Sequence, residues 1–148
     1  MNPRRLLLGT GLALGLAACG MPQQGPQMMP GSDCMSCHSS GGAAIASHAW
    51  TLAGTVFADP KSPTAAPVQA AEVLVTDAAG KTLTIRTNGS GNFYSAEPLT
   101  FPVHVEVQDG SQRMAMVASP PVGSCNACHA GQGLNGAPGK LFVPVSAK

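Results

Sequence analysis

Two short motifs of this sequence combine residue types that do chemistry. Each has two cysteines three positions apart and a histidine directly after the second: CMSCH at residues 34–38 and CNACH at residues 125–129. Paired thiols at this spacing can form disulfides, bind zinc, exchange disulfides or bond covalently to a cofactor. The choice depends on the compartment of the protein and on the role of its fifth cysteine.

The N-terminus has the pattern of an export signal. Arg4 and Arg5 precede an uncharged apolar stretch at residues 6–18. A membrane-spanning helix needs roughly 20 residues, so this stretch fits the core of a signal peptide instead. It ends in LAAC at residues 16–19, which resembles the lipobox of bacterial lipoproteins. The resemblance implies cleavage before Cys19 and lipidation of Cys19; the alternative is an ordinary cleavage site with an incidental cysteine.

If Cys19 carries lipid, the other four cysteines belong to the two motifs. Export favours disulfides, but disulfides do not require a histidine after each pair. A structural zinc site needs four ligands in one tetrahedron, whereas these pairs are far apart in the sequence. A redox Cys-x-x-Cys pair is expected in a βαβ context, which the sequence does not show.

The remaining interpretation is covalent attachment of heme, for which Cys-x-x-Cys-His is the known signature. Two thiols on one helical turn can each bond a vinyl group at the same porphyrin edge. The next residue then lies beneath the ring, where its imidazole reaches the iron. Two such motifs in one exported chain predict two covalently bound heme c groups.

These motifs resemble those of the c-type cytochromes. The resemblance assigns Cys34, Cys37 and the proximal ligand His38 to the first heme. It assigns Cys125, Cys128 and the proximal ligand His129 to the second heme. Aromatic residues make up only 4% of the chain, and two hemes would supply flat apolar bulk that the sequence lacks.

The region between the motifs predicts short β-strands. Residues 51–59, 71–77, 81–87, 92–95, 101–108 and 112–119 are rich in β-branched or aromatic residues, with turn signals such as NGSG at 88–91 between them. Valines alternate with polar residues at 103–108. We therefore expect a mainly β protein: a small antiparallel β-sandwich flanked by two short heme-binding segments with little helix.

The region between the motifs resembles the carboxypeptidase regulatory-like, prealbumin-like β-sandwich. The resemblance is carried by three stretches of sequence: GTVFAD, APVQAAEVLVTDAAGKTLTIRTNGSGNFYS and VHVEVQ. The resemblance covers about half of the chain and implies a non-catalytic scaffold. The domain prediction is a signal peptide at 1–18, a flexible tether at 19–32, a heme segment at 33–49, the sandwich at 50–119 and a second heme segment at 120–148. Leu141, Phe142 and Val143 are expected to pack around the second heme.

Each iron also requires a distal ligand or an open position. The candidates are His48 and His104, the only other histidines, with Met114 and Met116 as alternatives. Each has an ordinary structural interpretation, as a surface histidine or as methionine core filler. Met28 and Met29 fit the tether better than an iron site.

The resulting functional hypothesis is a lipid-anchored diheme cytochrome that transfers single electrons and is not an enzyme. Its partners would be other redox proteins or an extracellular acceptor, with no nucleic acid, since the formal charge is only +1. Gly20 after Cys19 favours the outer membrane, on its periplasmic face or at the cell surface. The alternatives are a small peroxidase-like or heme-ligand-binding protein, and a structural β-domain stapled by hemes.

Overall fold

The structure is a computed structural model that describes residues 25–144, so Cys19 and the predicted signal peptide lie outside the described residues. Short strands dominate this part of the chain, and its helices are single turns. The elements in chain order are α1 (Met35–His38), a 3-10 turn (Ala46–His48), β1 (Leu52–Thr55), β2 (Glu72–Thr76), β3 (Thr82–Arg86), β4 (Asn92–Ser95), β5 (His104–Asp109), β6 (Gln112–Ala115) and α2 (Cys125–Cys128).

Four strands form an antiparallel sheet in the order β3-β2-β5-β6. Alternation along β2 and β5 sends their valines to one face, where Val73 lies opposite Val107 and Val75 opposite Val105. All four of these valines are buried. The predicted alternation at residues 103–108 is therefore confirmed, and it sets the register because a one-residue slip would expose the valines.

β1 and β4 form a second, two-stranded antiparallel sheet. Its inward residues Leu52 and Phe93, together with Val56 just after β1, join the valines of the larger sheet in one buried cluster. Two antiparallel sheets around one core, with little helix, confirm the predicted fold class of a small, mainly β sandwich.

The C-terminal segment runs beside β1 and extends the smaller sheet. The amide of Ala53 donates to the carbonyl of Gly123 at 2.9 Å, and the amide of Phe57 donates to the carbonyl of Leu141 at 2.9 Å. Leu141 and Val143 are buried in the core, and Phe142 is half-buried. The second cysteine motif is thereby fixed against the edge of the sandwich.

Residues 25–32, which we call the N-terminal strap, lie against the same part of the sandwich. The Asn92 side chain donates to the carbonyl of Met28 at 2.8 Å, and the amide of Gly31 donates to Thr55 Oγ1 at 2.9 Å. Asn88 donates to the carbonyl of Pro26. The later part of the predicted tether is thus hydrogen-bonded to the domain.

Within residues 25–144, no helix is long and apolar enough to cross a lipid bilayer.

Candidate functional site

Each cysteine motif folds into a single helical turn. The amide of His38 donates to the carbonyl of Cys34 at 2.9 Å, and the amide of His129 donates to that of Cys125 at 2.9 Å. These are the i to i−4 bonds of an α-helix. Both cysteines and the histidine of a motif therefore project from one turn, as their spacing in the sequence predicts.

The two histidines are oriented in the same way. Nδ1 of His38 lies 2.8 Å from the carbonyl oxygen of His48, and Nδ1 of His129 lies 3.0 Å from that of Gly139, in both cases ten residues onward. A carbonyl oxygen only accepts, so Nδ1 carries the hydrogen in the neutral ring. Nε2 then keeps the lone pair that a metal needs.

His129 shows the consequence most clearly. Its ring is buried, and its Nε2 has no hydrogen-bond partner among the described residues. Burial lowers the pKa of His129, and the hydrogen bond to the Gly139 carbonyl opposes that shift only in part. A buried, neutral imidazole with an unpaired nitrogen is costly unless a ligand satisfies it.

His38 is held in addition by an aromatic stack. Its ring lies 3.7 Å from that of Trp50 at an interplanar angle of 7°, and Trp50 lies 4.2 Å from Tyr94 at 12°. The amide of Trp50 also donates to the His38 carbonyl at 2.6 Å. The stack fixes the plane of the imidazole and reaches the surface at Tyr94, which is 39% exposed.

A cavity of about 490 Å³ opens beside the first motif. Its wall includes Cys34, Cys37, His38 and His48, together with parts of the strap and β4. Cofactor and ligand sites usually enclose roughly 300–1,000 Å³ and are mostly apolar. The cavity beside residues 34–38 therefore has the size and the mostly apolar wall of a small-molecule or cofactor site. At the second motif, by contrast, the surrounding protein encloses Nε2 of His129.

The surroundings of Cys34 and Cys125 disfavour the thiolate form of these two residues. Burial, and then the neighbouring Asp33 carboxylate, raise the pKa of Cys34. Burial raises the pKa of Cys125 to about 12, with smaller contributions from Cys34 and Cys128. Catalytic disulfide exchange needs a lowered thiol pKa, so this environment does not favour a thioredoxin-like role.

The cysteines of the two motifs are not all in the same state. Cys34, Cys125 and Cys128 are free thiols, so neither motif closes an internal disulfide. Cys37 is disulfide-bonded. Between residues 25 and 144, no three Cys, His, Asp or Glu side chains are grouped so that they could hold a metal ion. A structural zinc site needs four converging ligands, and residues 25–144 do not bring such a set together.

The two motifs, distant in sequence, lie side by side. Ser124 Oγ donates to the Asp33 carboxylate, and Asn126 Nδ2 donates to the carbonyl of Ser32 at 2.7 Å. Asn126 also accepts from the amide of Thr55 at 3.1 Å and donates to Thr55 Oγ1 at 3.1 Å. Thr55 Oγ1 in turn donates to Asn92 Oδ1 at 2.8 Å. This buried network joins both motif segments to β1 and β4.

The candidate distal ligands are dispersed. His48 is exposed and lies on the cavity wall, with Nδ1 3.1 Å from Ser47 Oγ. His104 is exposed on β5 opposite Thr76, in the larger sheet. Met114 is 37% exposed on β6, and Met116 packs half-buried on the core. Only His48 of these four lines the cavity, which Met28 and Met29 of the strap also line.

Several features of this site were not identified from the sequence. The partner carbonyls of the histidines, the Trp50–Tyr94 stack and the Asn126 network depend on backbone placement. The sequence offers one signal for them: glycines follow each motif, at residues 41–42 and 131–139. They indicate that the chain turns back after each histidine.

The chain matches no known protein family, no curated protein and no solved structure.

Proposed function

We propose that this protein is an exported diheme c-type cytochrome that passes single electrons between redox partners. One observation carries the proposal: both Cys-x-x-Cys-His motifs form a helical turn whose histidine donates through Nδ1 to a carbonyl ten residues later. That arrangement leaves the Nε2 lone pair available to a metal in both motifs, and at His129 this atom is buried without a partner among the described residues.

In this proposal, Cys34 and Cys37 hold the first heme, and Cys125 and Cys128 hold the second. His38 and His129 are the proximal ligands. Bound heme supplies reversible exchange between ferrous and ferric iron. The carbonyls of His48 and Gly139 keep the two imidazoles in the correct tautomer and orientation, and Trp50 fixes the plane of His38. The cavity beside the first motif has a mostly apolar wall, which suits a porphyrin face.

Attachment makes two demands on the protein. The disulfide at Cys37 has to be absent before a thioether can form there. At the second motif, the protein around His129 has to open, because Nε2 of this residue is buried. Both demands are met most simply if the hemes are attached before the domain closes.

The proposed location follows from the N-terminal sequence. Cleavage before Cys19 and lipidation of that residue would anchor the protein, with the outer membrane favoured by Gly20. The partners we propose are other redox proteins or an extracellular electron acceptor.

Heme attachment is tested by producing the full chain in a bacterium that has the cytochrome c maturation machinery. The denatured protein is then assayed for covalently bound heme by its alkaline pyridine spectrum and by intact mass. We expect two hemes in the wild type. Cys34→Ser with Cys37→Ser should retain one heme, and Cys125→Ser with Cys128→Ser should retain the other.

Cys19→Ser is the matched control, because it removes a cysteine outside both motifs. It should keep both hemes and release the protein from the membrane fraction. A wild-type chain that leaves the maturation strain without covalent heme would show that the proposal is wrong.

A small-ligand-binding protein is the second candidate, favoured by the cavity that His38 lines. It requires one five-coordinate iron with room for a ligand. Rapid binding of carbon monoxide to the reduced wild type would support this function, and slow or absent binding would favour an electron carrier with two six-coordinate irons.

A further inference from the structure

The cavity beside the first motif contains two thioethers as well as His38. Met28 and Met29 of the strap both line it. Methionine sulfur is a soft ligand and an established axial ligand of heme iron. The strap therefore brings a possible sixth ligand to the iron that His38 would hold.

The backbone of His48 already contacts the edge of the His38 ring that carries Nδ1. Its carbonyl oxygen accepts from Nδ1 of His38 at 2.8 Å. Nδ1 and Nε2 are on different edges of an imidazole, so the His48 backbone lies behind the ring and away from the ligating nitrogen. A distal ligand approaches iron from the face opposite the proximal nitrogen. His48 would have to break its contact with His38 or pass around the porphyrin to reach that face.

The other candidates are not on this cavity. His104 lies in the larger sheet opposite Thr76, and Met114 lies on the edge strand β6 opposite Val107. Met116 packs on the hydrophobic core. None of these three residues lines the cavity beside the first motif.

Met28 is better fixed than Met29. Its carbonyl accepts from Asn92 Nδ2 at 2.8 Å, and Asn92 is itself buried and bonded to Thr55. Met28 is half-buried, whereas Met29 is 42% exposed. A ligand on an anchored backbone loses little conformational entropy when it binds.

We propose that Met28 is the distal ligand of the heme iron that His38 holds, which makes the strap part of the site. The inference rests on the proposed function and adds the axial ligand set of the first heme: His38 and Met28, with His48 in a positioning role through its carbonyl. Methionine ligation raises the reduction potential, so the first heme should have the higher potential if the second lacks a methionine ligand.

The test compares Met28→Leu, the matched control Met29→Leu and His48→Ala in the full, heme-loaded protein. Two quantities are measured: the weak far-red absorption of ferric iron bound to methionine sulfur, and the midpoint potentials from a spectroelectrochemical titration. We expect Met28→Leu to abolish the far-red band and lower one of the two potentials. Met29→Leu and His48→Ala should keep the band.

Met28→His supplies a second measurement that does not depend on losing a ligand. It should keep the low-spin spectrum of a six-coordinate iron while removing the far-red band and lowering the same potential. Heme content is measured in every variant by the alkaline pyridine spectrum.

Three results would overturn the inference. A far-red band that survives in Met28→Leu, or that disappears in Met29→Leu, would assign the ligand elsewhere. A wild type with no such band and a high-spin shift in His48→Ala would assign it to His48. Absence of covalent heme from the wild type would instead remove the proposed function, and the inference with it.

Discussion

At the scale of single residues, the site depends on backbone atoms that orient side chains. His129 is buried because α2 packs against β1, and its Nδ1 is satisfied only because the Gly139 carbonyl lies 3.0 Å away. Gly139 reaches that position at a φ of +123°, next to the backbone of Pro60. A residue that looks like loop filler in the sequence therefore sets the tautomer of a proposed ligand.

Gly139→Ala should disturb this arrangement. A Cβ at this position would lie 2.2 Å from the Pro60 carbonyl oxygen, and the positive φ adds backbone strain. We expect the free energy of unfolding to fall by about 2 kcal/mol or more. Urea denaturation of the heme-free protein gives this value, and the visible spectrum of the loaded protein should change at one heme only.

Gly136→Ala is the matched control for Gly139→Ala. Gly136 also has a positive φ, of +84°, but its Cβ would have no heavy atom within 4 Å. Equal losses of stability in the two variants would show that the approach of Pro60 is not the deciding contact.

At the scale of elements, four segments meet at one buried polar network. The strap, β1, β4 and α2 are joined through Asn126, Thr55 and Asn92, which are 2%, 0% and 6% exposed. Such a network contributes to stability only when every member is paired. We expect these hydrogen bonds to help hold the strap in place.

Asn126→Ala should unpair the amide of Thr55 and the carbonyl of Ser32. Leaving buried backbone groups without partners costs on the order of 2–4 kcal/mol here. We expect a lower urea midpoint and faster amide hydrogen exchange at Thr55 and in the strap. Gln132→Ala, on an exposed loop, is the control; unchanged exchange in Asn126→Ala would show that other contacts hold the strap.

At the scale of the whole molecule, the sandwich brings its two ends together. Contacts between Asp33 and Ser124 and between Ser32 and Asn126 place the first motif beside the second. The proposed hemes would then be neighbours on one edge of the domain, which suits exchange of electrons between them. The exposed ring of Tyr94, stacked through Trp50 on His38, lies at the surface of the same region.

This proximity predicts a magnetic interaction between the two ferric irons. The electron paramagnetic resonance spectrum of the oxidised wild type should differ from the sum of the spectra of the two single-heme cysteine variants. The sum of those spectra is the reference for independent hemes. If the wild-type spectrum equals that sum, the hemes are too far apart to interact, and the side-by-side placement of the motifs does not extend to the irons.

The sequence alone determined the mainly β fold class and predicted the two cysteine motifs as the candidate site. Residue type and spacing predict a helical turn in each motif, and the valine alternation at 103–108 predicts a strand with one buried face, because both patterns are local. The tertiary structure alone decided that the two motifs lie side by side. It also decided that the carbonyls of His48 and Gly139 accept hydrogen bonds from the His38 and His129 imidazoles, and that the strap lines the cavity. These contacts depend on how two sheets pack around one core, and no local pattern encodes which distant backbone atoms that packing brings within hydrogen-bonding distance.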